Sequence, residues 1–539
     1  MSDGATPADV GAVAETPAPA PPTRPGGRAA MLVGAGIAVS RVVGLVRNTV
    51  FAHYFGSGAE SDAFNAALKI PNIVRNLLGE GTISASFIPV YSAMLGRGEE
   101  KDARALAGAI LGLLLAAVSV LTLAGIAFAP AITALVATGF DPVRYELTTR
   151  LVRVLFPMTG LMVISGWCLG VQNSHRLFFN SYASAALWSI AQITLLLGWG
   201  RVAPTLAELA WWLAWATLAG SALQILAQLP QVVRLVRPLR VSLDPDTAGV
   251  RDTLRNFVPV VVALGLFQFS SLIDLQIASW LPEGAATNLN YATVVYLLPI
   301  SLFGISVAAS SLPEFSRESG ALASSALLER LRAGWLRILF YIVPTTAVFI
   351  VHGDLVVSAI YRTGRFGASD VHQVHLVLAA YAVGLVGYAS VKLLASAYYA
   401  LRDYRTPLRA AMLSIAVGTA ISLSIAIPMR RSLAAAAGLA LGAALGAYVN
   451  LAVLSRGLGH RLGALYTPRM WRSTLRIAGA AIAAMALSLP VRWALAGRHH
   501  LVEALPTLAA FALVFLLVAW AAGSAEAARW LRLRPRAGA

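Results

Sequence analysis

Five ionisable side chains lie inside two apolar segments that are predicted to span a membrane, between Ser40 and Pro89. They are Arg41, Arg47, Lys69, Arg75 and Glu80. A charged group at the centre of a spanning helix costs at least about 2.5–3.5 kcal/mol, so a chain keeps one only where it lines an aqueous cavity or meets a partner. Four cations beside one anion therefore predict a polar chamber within the membrane that binds something negative.

The spacing of these cations predicts bent helices. Arg41 and Arg47 are six residues apart, which places them about 120° apart around a straight helix. Gly44 lies midway between them, and Pro71 lies between the two cations of the second segment, where proline would kink the helix. Because a planar guanidinium binds two phosphate oxygens at once and stays charged in a poorly hydrated site, arginine favours a phosphate-bearing ligand.

Carboxylates accompany the cations. Asp62 and Lys69 are seven residues apart on one helical face, so we expect them to pair near the outer end. Glu80 is either a structural counter-charge or a titrating switch. Asp274 stands in an apolar stretch, where a carboxylate marks a cation or proton site or pairs with a base such as Lys392.

The composition restricts the protein class. Hydrophobic residues make up 58% of the 539 residues and charged residues only 12%, whereas a soluble protein has about 25% charged residues. The chain is therefore a polytopic membrane protein, and its net charge of +17 does not indicate a nucleic-acid partner. Its single cysteine, Cys168, excludes an internal disulfide. Without a nucleotide-binding motif or catalytic motif, we expect a transporter rather than an enzyme, with no cofactor, that uses an ion gradient, the membrane potential or a substrate gradient.

The apolar runs predict an all-α fold of about fourteen spans. Their approximate limits are 30–55, 63–95, 105–137, 150–172, 177–200, 205–230, 252–281, 287–312, 328–352, 371–400, 406–428, 434–457, 472–496 and 502–523. Lys and Arg concentrate in the loops of one face, which places that face and both termini in the cytoplasm.

An internal repeat suggests how the spans are grouped. ISASFIPVYS at Ile83–Ser92 ends the second span, and VAASSLPEFS at Val307–Ser316 ends the eighth. Two lobes of six helices around a central cavity, with two added helices, would follow. The predicted divisions are a disordered cytoplasmic tail at 1–28, lobes at 29–235 and 250–457, the last two spans at 470–525 and a basic tail at 526–539.

Four segments carry a family resemblance. They are SRVVGLVRN, FGSGAESDAFNAALKIPNIVRNLLGEG, SFIPVYS and YAVGLVGYASVKLLASAYYALRDYRTP, the last at residues 381–407. The chain resembles the MurJ/MviN family of lipid II flippases in the multidrug/oligosaccharidyl-lipid/polysaccharide exporter superfamily. The resemblance implies alternating access in the bacterial inner membrane, with translocation of the undecaprenyl-pyrophosphate-linked peptidoglycan precursor from the inner to the outer leaflet. It also implies membrane lipids and the cell-wall synthesis machinery as partners.

The resemblance also implies roles for individual residues. The family's cavity arginines match Arg41, Arg47 and Arg75, and its acidic positions match Asp62 and Glu80. A sodium site of some members is similar to Asp274, Asp403 and Thr419 here, which would make Na⁺ the coupling ion, although the position of Asp403 alone is typical of a capping or loop residue.

Two departures keep other functions open. Asn48 replaces an acidic residue of the family, and Thr293 and Val294 stand where the eighth span has an aspartate and a cavity arginine. The chain is then a flippase with three arginines, or an exporter of another polyprenyl-linked saccharide. A cation-coupled drug or metabolite antiporter would need acidic rather than basic residues here, and a silent membrane scaffold would not need buried arginines.

Overall fold

The computed structural model describes residues 27–301 and 321–532, which form α-helices joined by turns and loops and contain no strand. The first group of helices is α1 (Gly27–Phe55), α2 (Ala59–Leu78), α3 (Glu80–Gly96), α4 (Glu100–Ala127), α5 (Ala129–Val136), α6 (Pro142–Ser174), α7 (Phe178–Ala183), α8 (Ala185–Trp199) and α9 (Leu206–Leu235). The second is α10 (Val250–Ser279), α11 (Ala285–Pro299), α12 (Ala321–Val351), α13 (Gly353–Tyr361), α14 (Ala368–Val383), α15 (Leu385–Ala400), α16 (Arg405–Ala426) and α17 (Ala435–Leu462). The last helices are α18 (Pro468–Leu495), α19 (His500–Ala521) and α20 (Ala525–Trp530).

The predicted all-α membrane fold is confirmed. Within the described ranges, nine helical segments are long and apolar enough to cross a membrane, and α14 with α15, bent by 43°, makes a tenth. The number fourteen stays a prediction. VAASSLPEFS, the tail at 1–26 and residues 533–539 lie outside the described residues, so the internal repeat and the predicted tails are not tested there.

Helix α6 is the centre of the first group. It packs against α2, α3, α4 and α9, and its side chains Leu151, Leu155 and Trp167 are fully buried. Between α6 and α9, Gln224 donates a hydrogen bond of 2.8 Å to the Ser165 hydroxyl. Polar bonds of this kind join helices in a membrane, where apolar contact alone offers little preference for protein over lipid.

Small residues bring α16 and α17 together in the second group. Gly442 lies so close to α16 that an added Cβ would be 2.6 Å from the backbone nitrogen of Ser422, and at Gly446 it would be 2.6 Å from the carbonyl oxygen of Ser414. Helix α17 also packs against α14 and α15. The contact therefore depends on glycine, as in other close helix pairs of membrane proteins.

The largest contacts between the two groups involve α2, α3, α10 and α11. α10 packs along α2 and α3, and α11 also contacts α2. The last two long helices, α18 and α19, pack on each other, and α18 contacts α12 while α19 contacts α13. Arg492 of α18 forms an ion pair of 2.5 Å with Asp354 of α13. Because α2 contacts α10 and α11, and α1 contacts α13, the charged residues of α1 and α2 lie beside the contact between the groups.

Gly442→Ala should destabilise the protein by about 1–3 kcal/mol, because the added methyl group would overlap the α16 backbone. We expect a lower midpoint temperature in thermal unfolding of the purified protein in detergent. Gly459→Ala in the same helix is the matched control, since nothing lies within 4 Å of its added Cβ. Equal midpoints for the two variants would contradict the glycine-dependent contact.

Candidate functional site

One aromatic and one amide side chain hold the side chain of Arg47, on α1, in place. Its guanidinium carbon lies 4.6 Å from the centre of the Trp188 ring of α8. Its Nη2 donates a hydrogen bond of 2.8 Å to Oδ1 of Asn48. Because Asn48 is neutral, this hydrogen bond orients the guanidinium without cancelling its charge. The replacement of the family's acidic residue thus leaves Arg47 with a neutral partner.

Arg75 of α2 lies near Arg47, close enough for their like charges to interact. Helix α2 continues through Pro71, so the predicted kink at this residue stays a prediction, and the helical run is interrupted at Gly79. The amide of Gly79 donates to the carbonyl of Arg75 at 2.8 Å, and an added Cβ would be 2.5 Å from that oxygen. The break therefore directly follows the turn that carries Arg75.

The other predicted cations are placed differently. Arg41 is exposed on α1, about 9 Å along the axis from Arg47 by helix geometry, and α1 is helical through Gly44. The side chain of Glu80 lies outside the described residues. Lys392 of α15 is exposed and forms no ion pair with a described residue, so its predicted pairing with a carboxylate is not seen.

Lys69 and Asp274 form an electrostatic pair between the two helix groups. Lys69 belongs to α2 and Asp274 to α10, both side chains are half-buried, and their opposite charges interact. Asp274 also interacts with Tyr381 and Tyr388 across the second group. The predicted pairing of Lys69 with Asp62 was wrong, because Asp62 has other partners and the carboxylate whose charge acts on Lys69 is Asp274 of α10.

Asp62 joins the two groups at the outer ends of their helices. Its side chain is only 1% exposed. It accepts hydrogen bonds from the backbone amides of Gly284 at 2.7 Å and Thr287 at 2.8 Å, and from the Thr287 hydroxyl at 2.7 Å. Arg144 of α6 lies 3.7 Å away. Gly284 has φ 87°, a left-handed conformation that favours glycine and turns its amide toward the carboxylate.

Further contacts surround Asp62. The Ser57 hydroxyl donates to Oδ1 of Asn288 at 2.7 Å, and the Tyr291 hydroxyl donates to the Gly56 carbonyl at 3.1 Å. We call this set the outer gate: Gly56, Ser57, Asp62, Gly284, Thr287, Asn288 and Tyr291. Asp62 was predicted to bind the ligand, but its oxygens are already taken by the gate. In the described conformation Asp62 thus joins the two helix groups, and its binding of the ligand stays a prediction.

The second group of helices contains a cluster of three tyrosines. Val294 of α11 is half-buried, and two residues later the Tyr296 ring stacks on Tyr381 with centroids 5.0 Å apart. Tyr388 meets Tyr296 edge-on at 5.7 Å. Tyr296 is buried and lies about 200° around the helix from Val294, so this aromatic cluster packs on another face of α11 than the position where the family has a cavity arginine.

The sequence comparisons place this arrangement in one family. The sequence model of a family described as lipid II flippase MurJ matches residues 51–506. The chain belongs to this family. The match includes Asp62, Lys69 and Arg75, so the resemblance of the motifs is confirmed.

Individual relatives and solved structures agree with this family. A lipid II flippase MurJ of Burkholderia cenocepacia is 30% identical over 466 residues, which are 84% of this chain and 88% of that protein. A solved lipid II flippase MurJ in an inward closed conformation has a TM-score of 0.75 at 20% identity and covers 93% of this chain and 100% of its own. An inward-facing multidrug resistance transporter of the MATE family has a TM-score of 0.61 at 16% identity, covering 81% of this chain and 98% of its own. The two structures support the fold.

The sodium site carried over from the family resemblance does not fit this arrangement. Asp403 caps α16 by accepting from the Thr406 amide at 3.0 Å and hydroxyl at 2.7 Å, and it pairs with Arg461 at 2.7 Å. Asp274 interacts with Lys69 instead, and Thr419 shares no hydrogen bond with either carboxylate. Among the described residues, no group of three His, Cys, Asp or Glu side chains is arranged to hold a metal.

Sequence reasoning missed the residues that hold the charged groups. Trp188 and Arg144 lie on α8 and α6, more than 80 positions along the chain from Asp62 and Arg47. Only Arg144 had a local signal. It lies three residues after Asp141, which caps α6, and the backbone amide of Arg144 donates a hydrogen bond of 3.1 Å to the Asp141 carboxylate. Neither residue type nor spacing indicated that it reaches Asp62.

The structure predicts a stabilising role for Asp403 that is independent of sodium. The hydrogen bonds from Thr406 and the ion pair with Arg461 lower the pKa of Asp403 to about 2. Since its unfolded pKa is about 3.9, this carboxylate stabilises the fold above about pH 4, and the contribution is lost as the pH falls toward about 2. Asp403→Asn should therefore lower the unfolding midpoint at pH 7, and its difference from wild type should shrink below pH 4.

The measurement is thermal unfolding in detergent, run in sodium and in potassium buffers of equal ionic strength. We expect the same decrease in both. If sodium stabilised the wild type but not Asp403→Asn, the result would contradict the capping role and would support Asp403 as a sodium ligand.

Proposed function

We propose that this chain is a lipid II flippase that carries an undecaprenyl-pyrophosphate-linked peptidoglycan precursor from the inner to the outer leaflet of the bacterial cytoplasmic membrane. Membership of the lipid II flippase family supports the substrate class. The observation that carries the proposal is the pair of guanidiniums of Arg47 and Arg75, whose like charges lie close together among membrane-spanning helices. The chain is a transporter rather than an enzyme.

A pyrophosphate would be attracted by both Arg47 and Arg75, whose like charges interact. Two like charges in a poorly hydrated site repel each other, and a dianion between them converts repulsion into attraction. Each guanidinium can bind two phosphate oxygens. Trp188 and Asn48 fix the Arg47 guanidinium, while Arg41, exposed on the same helix, extends the positive surface by about two turns.

The outer gate supports alternating access between two lobes at 29–235 and 250–457. In the described conformation Asp62, Ser57 and Gly56 of the first lobe are bonded to the turn and helix at 284–291 of the second. With the outer face closed, the headgroup enters from the cytoplasmic face, and its lipid tail stays in the bilayer. Release outside requires these bonds to break together, while the arginines keep their places on α1 and α2.

Val294 favours a second candidate, the export of another polyprenyl-linked saccharide. The pyrophosphate would bind the same arginines, and Val294 would leave the headgroup without the arginine that the family has at this position. A drug antiporter, although it shares the fold, receives no support from a site lined by arginines, since cationic drugs require carboxylates there.

Expression of this chain should rescue growth of a bacterium depleted of its own lipid II flippase. Arg47→Ala and Arg75→Ala should lose the rescue, because a charge-assisted hydrogen bond contributes about 1.5–3 kcal/mol, or about 10- to 100-fold in affinity. Lysine variants should rescue partially, since they retain charge but lose the planar fork.

Arg97→Ala serves as the control, because Arg97 is exposed in the loop after α3 and pairs with Glu99 at 2.7 Å. Failure of the folded wild-type chain to rescue would remove the lipid II assignment, and transport of a different lipid-linked saccharide would then establish the second candidate. Full activity of both alanine variants would remove the arginine site.

A disulfide across the outer gate should stop transport. The Ser57 and Asn288 side chains are in contact at 2.7 Å, and the buried Cys168 can be replaced by alanine to leave a cysteine-free background. Ser57→Cys with Asn288→Cys should abolish the rescue under oxidising conditions and regain it when a reducing agent is added. Each single cysteine variant is the control. Rescue by the oxidised, fully cross-linked protein would contradict opening at this gate.

A further inference from the structure

A second polar cavity lies away from the arginine site and the outer gate. Its volume is about 590 Å³, and it opens between the beginnings of α12 and α18 and the turn from α19 to α20. Its polar lining includes Glu329, Arg332, Arg469, Ser473, Arg476 and Ser524. Since α12 and α18 begin there, the cavity lies on the face predicted to be cytoplasmic.

Two arginines in this cavity are available to a ligand. Arg469 and Arg476 are seven residues apart, which is about two turns and about 10 Å along one face of α18. Neither forms a hydrogen bond or ion pair with another described side chain. Arg332, by contrast, is already bound to Glu329 and to the carbonyl oxygen of Leu465 at 3.3 Å. Arg469 and Arg476 therefore give the cavity an open positive side.

The surroundings set the depth of the cavity in the membrane. Trp471 is 57% exposed beside it, and Trp530 is exposed on α20. Exposed tryptophans concentrate at the level of lipid headgroups. One turn farther along α18, Leu475 is 66% exposed, and Ile482 continues the same apolar surface. Arg469 and Trp471, at the beginning of α18, thus lie at headgroup level, while Leu475, Arg476 and Ile482 lie progressively farther along the helix toward the acyl chains.

We propose that this cavity binds the phosphate of an anionic membrane phospholipid, whose acyl chains cover Leu475 and Ile482. The forked guanidiniums suit phosphate oxygens, and basic pockets between membrane helices on the cytoplasmic side bind such headgroups. A free phosphate would satisfy the arginines but would leave the apolar surface uncovered. The bound lipid holds α18 and α19 against α12, and this site is separate from the one that would bind lipid II.

The test is binding of defined lipids to the purified full-length protein. Phosphatidylglycerol and cardiolipin should raise the unfolding midpoint in neutral detergent, whereas phosphatidylcholine and inorganic phosphate at the same concentration should not. Arg469→Gln with Arg476→Gln should weaken lipid binding by about 30-fold, since each arginine near a membrane surface contributes about 1 kcal/mol. Arg469→Lys with Arg476→Lys should retain most of the binding.

Arg405→Gln with Arg409→Gln is the matched control, because it removes two exposed charges from the beginning of α16 without touching the cavity. An equal loss of lipid binding in the control variant would show that the effect depends only on net charge, and it would overturn the proposed site. Equal stabilisation by inorganic phosphate would replace the lipid with a soluble anion. Unchanged lipid binding by the glutamine variant, with a wild-type midpoint in the absence of lipid, would also overturn the proposal.

Discussion

The buried carboxylate of Asp62 determines how the two helix groups meet. It is fully removed from solvent, and its oxygens are bonded to backbone amides and a hydroxyl of the opposite group. Loss of one partner of a buried charge costs about 3–5 kcal/mol, so the gate cannot open by gradual weakening of a single bond. The turn at Gly284 and the beginning of α11 are bonded directly to this carboxylate.

Charge is distributed unevenly between the groups. α1 and α2 carry the arginines, and the nearest described part of the opposite group carries Asp274 and a cluster of tyrosines. The Lys69–Asp274 pair crosses the boundary where α10 packs on α2. A phosphate bound in the cavity would therefore be held mainly by one group, and the other group could move relative to it while keeping contact through weaker polar and aromatic interactions.

Much of this organisation is contained in the sequence. Apolar length predicts the helices, and the cost of charge in a membrane singles out Arg41, Arg47 and Arg75 by residue type and position alone. The partners of these charged residues were harder to predict from the sequence. Asp62 contacts Gly284, which lies more than 200 residues away along the chain, whereas helical spacing predicts contacts only within one helix. The wrong pairing of Lys69 with Asp62 has this cause: both fit one face, but the tertiary contact with α10 supplies Asp274. The break at Gly79 was missed because Pro71 offered the stronger local signal, although α2 accommodates that proline.

The neutral partner of Arg47 has an electrical consequence. An arginine that is oriented by an amide, rather than neutralised by a carboxylate, keeps its positive charge in the empty site, and the proposed pyrophosphate would neutralise it. One elementary charge that crosses a potential of 100 mV changes its free energy by about 2.3 kcal/mol. In a membrane that is negative inside, the field thus draws the empty site toward the cytoplasm and scarcely opposes the loaded one. In the proposed cycle, Asn48 would thereby make the return of the unloaded protein the voltage-sensitive half.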